Sequence, residues 1–335
     1  MAFNKKQKTA AEYVEAILRG DRILLGRAIT LVESKKAEHQ KLAQEIIEKC
    51  LPRSGNSIRI GITGSPGVGK SSFIETFGTY LIEKQKRRPA VLAIDPSSQV
   101  SRGSILGDKM RMEKLSTNDH AFIRPSPAGT SLGGVAAKTR ETMLLCEAAG
   151  FDTILIETVG VGQSEVAVHG MVDFFLLLLL PGAGDELQGI KRGIVEMADL
   201  IAINKADGER TALAKSARKD YAQALHLFPP KESGWTPKAV TCSALQKDGI
   251  ENIWKLILDF QKQINESGWF KNNRQQQAKN WFYDLLEQGL KRLFFTKKEI
   301  AEKLQSVENE VLEGRLAASK AANGLLELFT NKPPF

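Results

Sequence analysis

Cysteine, histidine and long apolar runs are all scarce in this sequence. Three of its 335 residues are cysteine, and Cys50, Cys146 and Cys242 lie far apart with no CxxC spacing. An odd, dispersed set excludes a disulfide framework and fits reduced thiols in a cytoplasmic protein. The four histidines, His39, His120, His169 and His226, are equally scattered, so no His tract offers a transferable metal site. No apolar run approaches the roughly 20 residues that cross a bilayer. The run Phe174 to Leu180 reads instead as a strand buried on both faces. The basic start at Lys5, Lys6 and Lys8 leads into no apolar stretch, so a secretory leader is not expected. Repeats and low-complexity segments are also missing.

Charge is present but unpatterned. Formal net charge is +8, from 47 basic and 39 acidic residues, and no run of Lys/Arg reaches five. That describes a solvated basic surface and excludes the usual footprint for nucleic acid or a membrane surface. At 42% hydrophobic residues the chain can bury a large core.

Apolar spacing divides the chain into three regions. Residues 1–55 are expected to be helical, with Gly20-Asp21 as a break and Pro52 as a stop. Residues 56–268 alternate strands and helices. Strands are expected at Ile58–Thr63, Ala90–Ile94, Thr153–Ile156, Phe174–Leu180, Leu200–Ile203 and Ala239–Thr241. Helices are expected at Ser71–Glu83, Thr139–Ala149, Gly189–Met197 and Ile250–Asn265. This rhythm predicts an α/β fold with a mostly parallel sheet flanked by helices. Residues 269–335 turn wholly helical. Phe282, Leu285, Leu286, Gly289 and Leu293 form one apolar stripe, and Ile300, Leu304, Val307 and Val311 form another. Such stripes need cover, from the chain's own α/β domain or from a partner subunit.

The chemistry starts at Gly64-Ser65-Pro66-Gly67-Val68-Gly69-Lys70-Ser71, which matches GxxxxGK[ST] between a strand and a helix. Glycines let the backbone wrap phosphate oxygens with inward N–H groups, and the helix N-terminus adds its positive end. Lys70 is expected at the β- and γ-phosphates and Ser71 at Mg²⁺. Ser72 follows, where Thr is common.

Base choice points to Asn204-Lys205-Ala206-Asp207, directly after a strand. The Asp207 carboxylate can accept from the ring N–H and exocyclic amine of guanine. Adenine would leave it unpaired, which a buried carboxylate tolerates badly. Lys205 can lie along the base, and Asn204 can tie this loop to the phosphate loop. Ser243, Ala244 and Leu245, after the last strand, suit a loop whose amides reach guanine O6.

Three acidic positions can complete a Mg²⁺ site with Ser71: Asp95 and Glu157 at strand ends, and Asp108 on a loop. Their bland alternatives are a helix cap for Asp95 and a sheet-mouth charge for Glu157. No glutamine directly follows Gly160, and Gln163 comes two positions after that place. Intrinsic hydrolysis is therefore expected to be slow.

These motifs resemble the MeaB/ArgK/MMAA family of P-loop GTPases. The likeness runs through Leu18 to Arg22, Arg27 to Ser34, Gly61 to Ser72, Asp95 to Ser98, Gly103 to Met112, Ser131 to Gly134, Glu157 to Glu165, Pro181 to Ala198 and Asn204 to Asp207. It implies a GTP/GDP- and Mg²⁺-binding G domain with a C-terminal helical dimerisation arm, and hence a homodimer. It further implies a chaperone that gates cofactor delivery to an adenosylcobalamin-dependent acyl-CoA mutase of the methylmalonyl-CoA type and protects it. In that family the loop matching Gly182 to Lys191 is a third switch, so Asp185, Glu186, Gln188 and Lys191 become candidates for coupling. The catalytic set expected is Lys70, Glu157, Asp108, Lys191 and Asp185. The residues alone would read that loop as a plain strand-to-helix connection. Two rival readings stand beside this one: a nickel-insertion GTPase, which the scattered histidines disfavour, and an ATPase or kinase tied to amino-acid transport, which Asp207 disfavours.

Overall fold

The structure is a computed structural model and describes residues 8–94, 112–126, 132–158, 163–182 and 192–330. Three helices come first: α1 (Ala10–Leu18), α2 (Arg22–Glu33) and α3 (Ala37–Cys50). Thr9 and Glu12 form a reciprocal capping box on α1. Gly20 adopts φ 81°, and the Asp21 carboxylate then caps α2 through the Ile23 and Leu24 amides at 2.9 Å each.

Seven parallel strands follow. They are β1 (Ile58–Gly64), β2 (Pro89–Ile94), β3 (Phe122–Ser126), β4 (Thr153–Thr158), β5 (Phe174–Leu179), β6 (Leu200–Ile203) and β7 (Lys238–Thr241). Their order is β3-β2-β4-β1-β5-β6-β7, so β1 and its phosphate loop sit at the centre. The described connecting helices are α4 (Lys70–Glu83), α5 (Glu113–Thr117), α6 (Leu132–Ala148), α7 (Gln163–His169), α8 (Arg192–Met197), α9 (Thr211–Leu225) and α10 (Ile250–Glu266). The α/β expectation holds, with every strand pair parallel. One core joins α1, α2 and α3 to α6 and the sheet, through Ile17, Leu25, Ile29, Ile46 and Phe175. The other face packs Phe73 and Phe77 of α4 against Trp254 and Phe260 of α10.

Sequence periodicity passed over β3, α7 and α9. Pro125 interrupts the pattern of β3, yet β3 is an edge strand, where a missing N–H is tolerated. On α9 only Ala214, Tyr221 and Leu225 are buried, too sparse a stripe to stand out.

The base of the sheet carries one repeated device. Asp152, Asp173 and Asp199 stand just before β4, β5 and β6. Each donates its N–H to the carbonyl of Arg88, Arg59 or Phe175, and its carboxylate accepts the N–H of that same residue at 2.8 to 3.1 Å. Each pair satisfies the first backbone groups of neighbouring strands and sets their parallel register.

The C-terminal helices are α11 (Trp269–Thr296), α12 (Lys298–Leu312) and α13 (Ala318–Thr330). The chain divides into two compact units after Gln277, within α11. In the second unit Ile300 is fully buried, with Ala321 and Leu325 buried beside the Phe294–Phe329 ring pair. Of the stripe that begins at Ile300, Leu304, Val307 and Val311 are half-buried. The other stripe stays in the open: Phe282 is 57% exposed, Leu286 46% and Leu293 60%.

Candidate functional site

The phosphate loop emerges from the C-terminal end of β1, where parallel sheets bind ligands. Gly64 has φ 154°, and a Cβ there would lie 2.4 Å from the Leu178 carbonyl oxygen. Only glycine fits so close to β5. Gly69 has φ 92°, and its Cβ would meet Asn204 Nδ2 at 3.0 Å. Both Gly64 and Gly69 are therefore held to glycine by their positive φ and by neighbours distant in sequence. Ser65 is half-buried, Pro66 and Gly67 are exposed, and Val68 is buried.

Lys70 is 9% exposed, and its Nζ donates to the carbonyls of Gly64 at 2.7 Å and Ser65 at 3.2 Å. Burial lowers its pKa, while the charges of Glu157 and Glu165 oppose that shift. The ammonium is thus held in place by two backbone oxygens and two nearby carboxylates. Ser71 Oγ donates to Glu157 Oε1 at 3.1 Å, and Ser72 is exposed. A hydroxyl and a carboxylate oxygen side by side at the mouth of β1 and β4 suit a hard divalent cation such as Mg²⁺. Behind them the Thr158 hydroxyl donates to the Thr63 hydroxyl at 2.8 Å.

The loop after β6 is tied to the phosphate loop. Asn204, buried at 1% exposure, donates from Nδ2 to the Val68 carbonyl at 2.9 Å. Its Oδ1 accepts the Ala244 N–H at 3.1 Å. Lys205, with φ 58°, extends its Nζ to the Gly67 carbonyl at 2.7 Å. The Ser243 hydroxyl donates to the Asp207 carboxylate and accepts the Gln246 N–H at 3.1 Å. Leu245, at the tip, is 81% exposed. Thr76 of α4, which sequence reading passed over, donates to the Ala244 carbonyl at 2.9 Å. A threonine inside a helix carries no local signal for such a contact. Glu165, at the end of the Glu157 to Glu165 stretch, is fully buried on α7.

The fold thus gathers Gly64 to Ser72, Glu157, Asn204, Lys205, Asp207, Ser243 and Ala244 at the C-terminal ends of the strands. Asp95, Asp108, Asp185 and Lys191 lie outside the described residues. Among the described residues no group of three His, Cys, Asp or Glu side chains forms a metal cluster. All three cysteines are buried, and burial pushes the Cys242 thiol up to about 12.

Comparison with known proteins adds to this geometry. Residues 25–299 match the family described as "Methylmalonyl Co-A mutase-associated GTPase MeaB". The chain is 51% identical over 313 residues to a "Putative GTPase" of Caulobacter vibrioides, covering 93% of this chain and 95% of that one. It is 44% identical over 339 residues to the "Methylmalonic aciduria type A homolog, mitochondrial" of Mus musculus, covering 98% and 81%. A crystal structure named "LAO/AO transport system kinase" superposes with a TM-score of 0.77 at 38% identity, covering 97% of this chain and 99% of that one.

Proposed function

The chain belongs to the MeaB family of GTPases, and on that premise we propose that it is a slow GTP switch serving an adenosylcobalamin-dependent acyl-CoA mutase. GTP or GDP lies on Gly64 to Ser72, with Lys70 at the β- and γ-phosphates. Asp207 takes the guanine edge, and Ser243, Ala244 and Leu245 close over the base. The observation that carries this reading is Asn204, bonded at once to Val68 of the phosphate loop and Ala244 of the base loop. One buried side chain thereby fixes the spacing between phosphate and base sites.

Ser71, Asp95, Asp108 and Glu157 are the proposed holders of Mg²⁺, supported by the Ser71–Glu157 oxygen pair. The ion, when bound, neutralises phosphate charge. Lys70, Glu157, Asp108, Lys191 and Asp185 are the proposed catalytic set. Their work is to bind and orient the phosphates and to align the attacking water. With no glutamine directly after Gly160, that alignment needs the partner.

Homodimer formation through the arm of residues 269–335 belongs to the same proposal. The open stripe of Phe282, Leu286 and Leu293 supports it, because a bare apolar row on a long helix calls for cover. A cytoplasmic setting fits the three buried thiols, and no described helix is long and apolar enough to cross a membrane.

The test is calorimetric and kinetic. GTP is expected to bind and ATP not to, with isolated turnover well below about 1 s⁻¹, the lower end for efficient phosphoryl transfer. Adding the purified mutase from the same source is expected to raise turnover and to yield a complex on gel filtration. ATP binding as tight as GTP would favour a transport-linked kinase. A mutase without effect on turnover, and without a complex, would remove the client assignment.

A further inference from the structure

Helix α4 touches two loops that are distant in sequence. Its first residues, Lys70 and Ser71, close the phosphate loop. Thr76 stands further along the same helix, roughly 9 Å from Lys70 at 1.5 Å of rise per residue. A threonine inside a helix often bonds back to a carbonyl of the preceding turn. Thr30 does so to Gly26 at 2.9 Å, Thr79 to Glu75 at 2.7 Å and Thr296 to Arg292 at 2.7 Å. Thr76 turns outward instead, and its hydroxyl donates to the Ala244 carbonyl at 2.9 Å, across 168 residues. The neighbouring rings fix where that hydroxyl stands. Phe73 stacks on Phe77 with 5.5 Å between centroids, and Phe77 meets Trp254 of α10 edge-on at 6.0 Å. All three are buried.

The loop that Thr76 holds is otherwise secured at its neck. Ser243 N–H donates to the Asp248 carbonyl at 3.0 Å, and Asp248 N–H donates to the Ser243 carbonyl at 3.1 Å. The Ala244 N–H goes to Asn204 and the Gln246 N–H to the Ser243 hydroxyl, each at 3.1 Å. Between those two amides lies one peptide plane, formed by the Ala244 carbonyl and the Leu245 N–H. Among the described residues its one hydrogen-bonded tie is the Thr76 hydroxyl. The carbonyl and N–H of a trans peptide point in opposite directions. A carbonyl drawn to α4 therefore turns the Leu245 N–H away from α4.

We propose that Thr76 is a positioning residue for guanine selection: by holding the Ala244 carbonyl it aims the Leu245 N–H at the 6-oxo group of the base. The proposal deepens the guanine reading above and rests on it. Guanine presents an acceptor at position 6, where adenine presents an amine donor. A fixed N–H pairs with the first and is left unpaired against the second. Without the Thr76 hydroxyl the plane can rotate between its two anchored neighbours, and the donor loses its fixed direction. The helix that starts at the phosphate loop thereby takes part in reading the base.

Nucleotide affinities of the full-length protein test this, with GTP and 6-thio-GTP as probes. The thione keeps the ring N–H and exocyclic amine proposed to face Asp207 and puts a weak acceptor in place of the 6-oxygen. Wild type is expected to bind GTP about fivefold or more tightly than 6-thio-GTP, the worth of one hydrogen bond. Thr76→Val keeps the shape and removes the hydroxyl, and Thr76→Ala removes it with better helix propensity, which guards against loss of folding. Both are expected to bind GTP about fivefold more weakly, with 6-thio-GTP changed by less than about twofold. Thr76→Ser keeps the donor and is expected to restore the preference. A merely structural role would weaken both nucleotides alike and leave their ratio intact, which would overturn the proposal. Unchanged GTP affinity in both variants, or a wild type that binds the two probes equally, would overturn it too; GTP that still outcompetes ATP then spares the guanine switch. Wild type that binds ATP as tightly as GTP overturns the base reading and this proposal with it.

Discussion

Asn204 donates to the Val68 carbonyl at 2.9 Å across 136 residues of sequence. Its amide oxygen takes the Ala244 N–H, so the loop after β6, the loop after β7 and the phosphate loop share one hinge pin. Asn204→Ala leaves two buried backbone groups unpaired, at about 1–3 kcal/mol each. GTP affinity is expected to fall by ten- to a hundredfold on that scale, with a lower melting temperature. Calorimetry and thermal unfolding measure the two effects, and an affinity within error of wild type would refute the pin.

Lys70→Ala is expected to weaken GTP and GDP binding more than about a hundredfold, as for loss of a buried charge-assisted contact to phosphate. Fluorescent-nucleotide titration reads this directly. Thermal unfolding of the same variant separates a loss of nucleotide contact from a loss of folding, since Lys70 also bonds two loop carbonyls and lies near Glu157 and Glu165. Unchanged affinity would rule out the phosphate-loop role.

Asp207→Asn replaces the acceptor pair expected to face guanine. GTP is expected to bind about ten- to a hundredfold more weakly, the scale of one hydrogen bond to a charged group, while xanthine nucleotides gain. Competition between GTP and XTP measures the change, and retained selectivity for guanine would count against the contact. Ser243, which donates to Asp207, should remain paired by the asparagine oxygen.

Ending the chain at Gln277 removes the open stripe of α11 but keeps Arg274 and Gln277 anchored at the base of the sheet. That fragment is expected to be monomeric by light scattering and to bind GTP like the full chain. A dimeric fragment would exclude the arm as the dimer contact.

Burial raises the Glu141 carboxyl to about 7, with Lys138 pulling it the other way. A carboxyl with a raised folded pKa binds its proton more tightly in the fold. Its stabilising contribution is full below the unfolded value of 4.5 and is lost as pH rises through 7. Glu141→Gln is expected to flatten the decline in stability between those two values, followed by urea unfolding. An identical slope in the variant would show that Glu141 does not set it.

Much of this molecule is legible in its residues because the controlling signals are local. A glycine loop between a strand and a helix, an NKxD after a strand and a βα rhythm are each written within a dozen positions. Those signals determined the α/β class, the phosphate loop and the candidate guanine loop. β3 escaped because Pro125 breaks a pattern that only an edge position tolerates, and α9 because three buried residues make too thin a stripe. Edge position and burial are properties of the assembled sheet.

The sequence by itself determined which residues are proposed to touch a nucleotide. Only the tertiary structure decided that Asn204 meets Val68, that Thr76 holds Ala244, and that Arg274 meets Asp173 from 101 positions away. It also decided that Ile300 is buried and Leu304, Val307 and Val311 half-buried within the helical unit, while the stripe at Phe282 stays open. The physical reason is that hydrogen bonds and buried ion pairs act over about 3 Å in space, whereas periodicity reports only on neighbours along the chain.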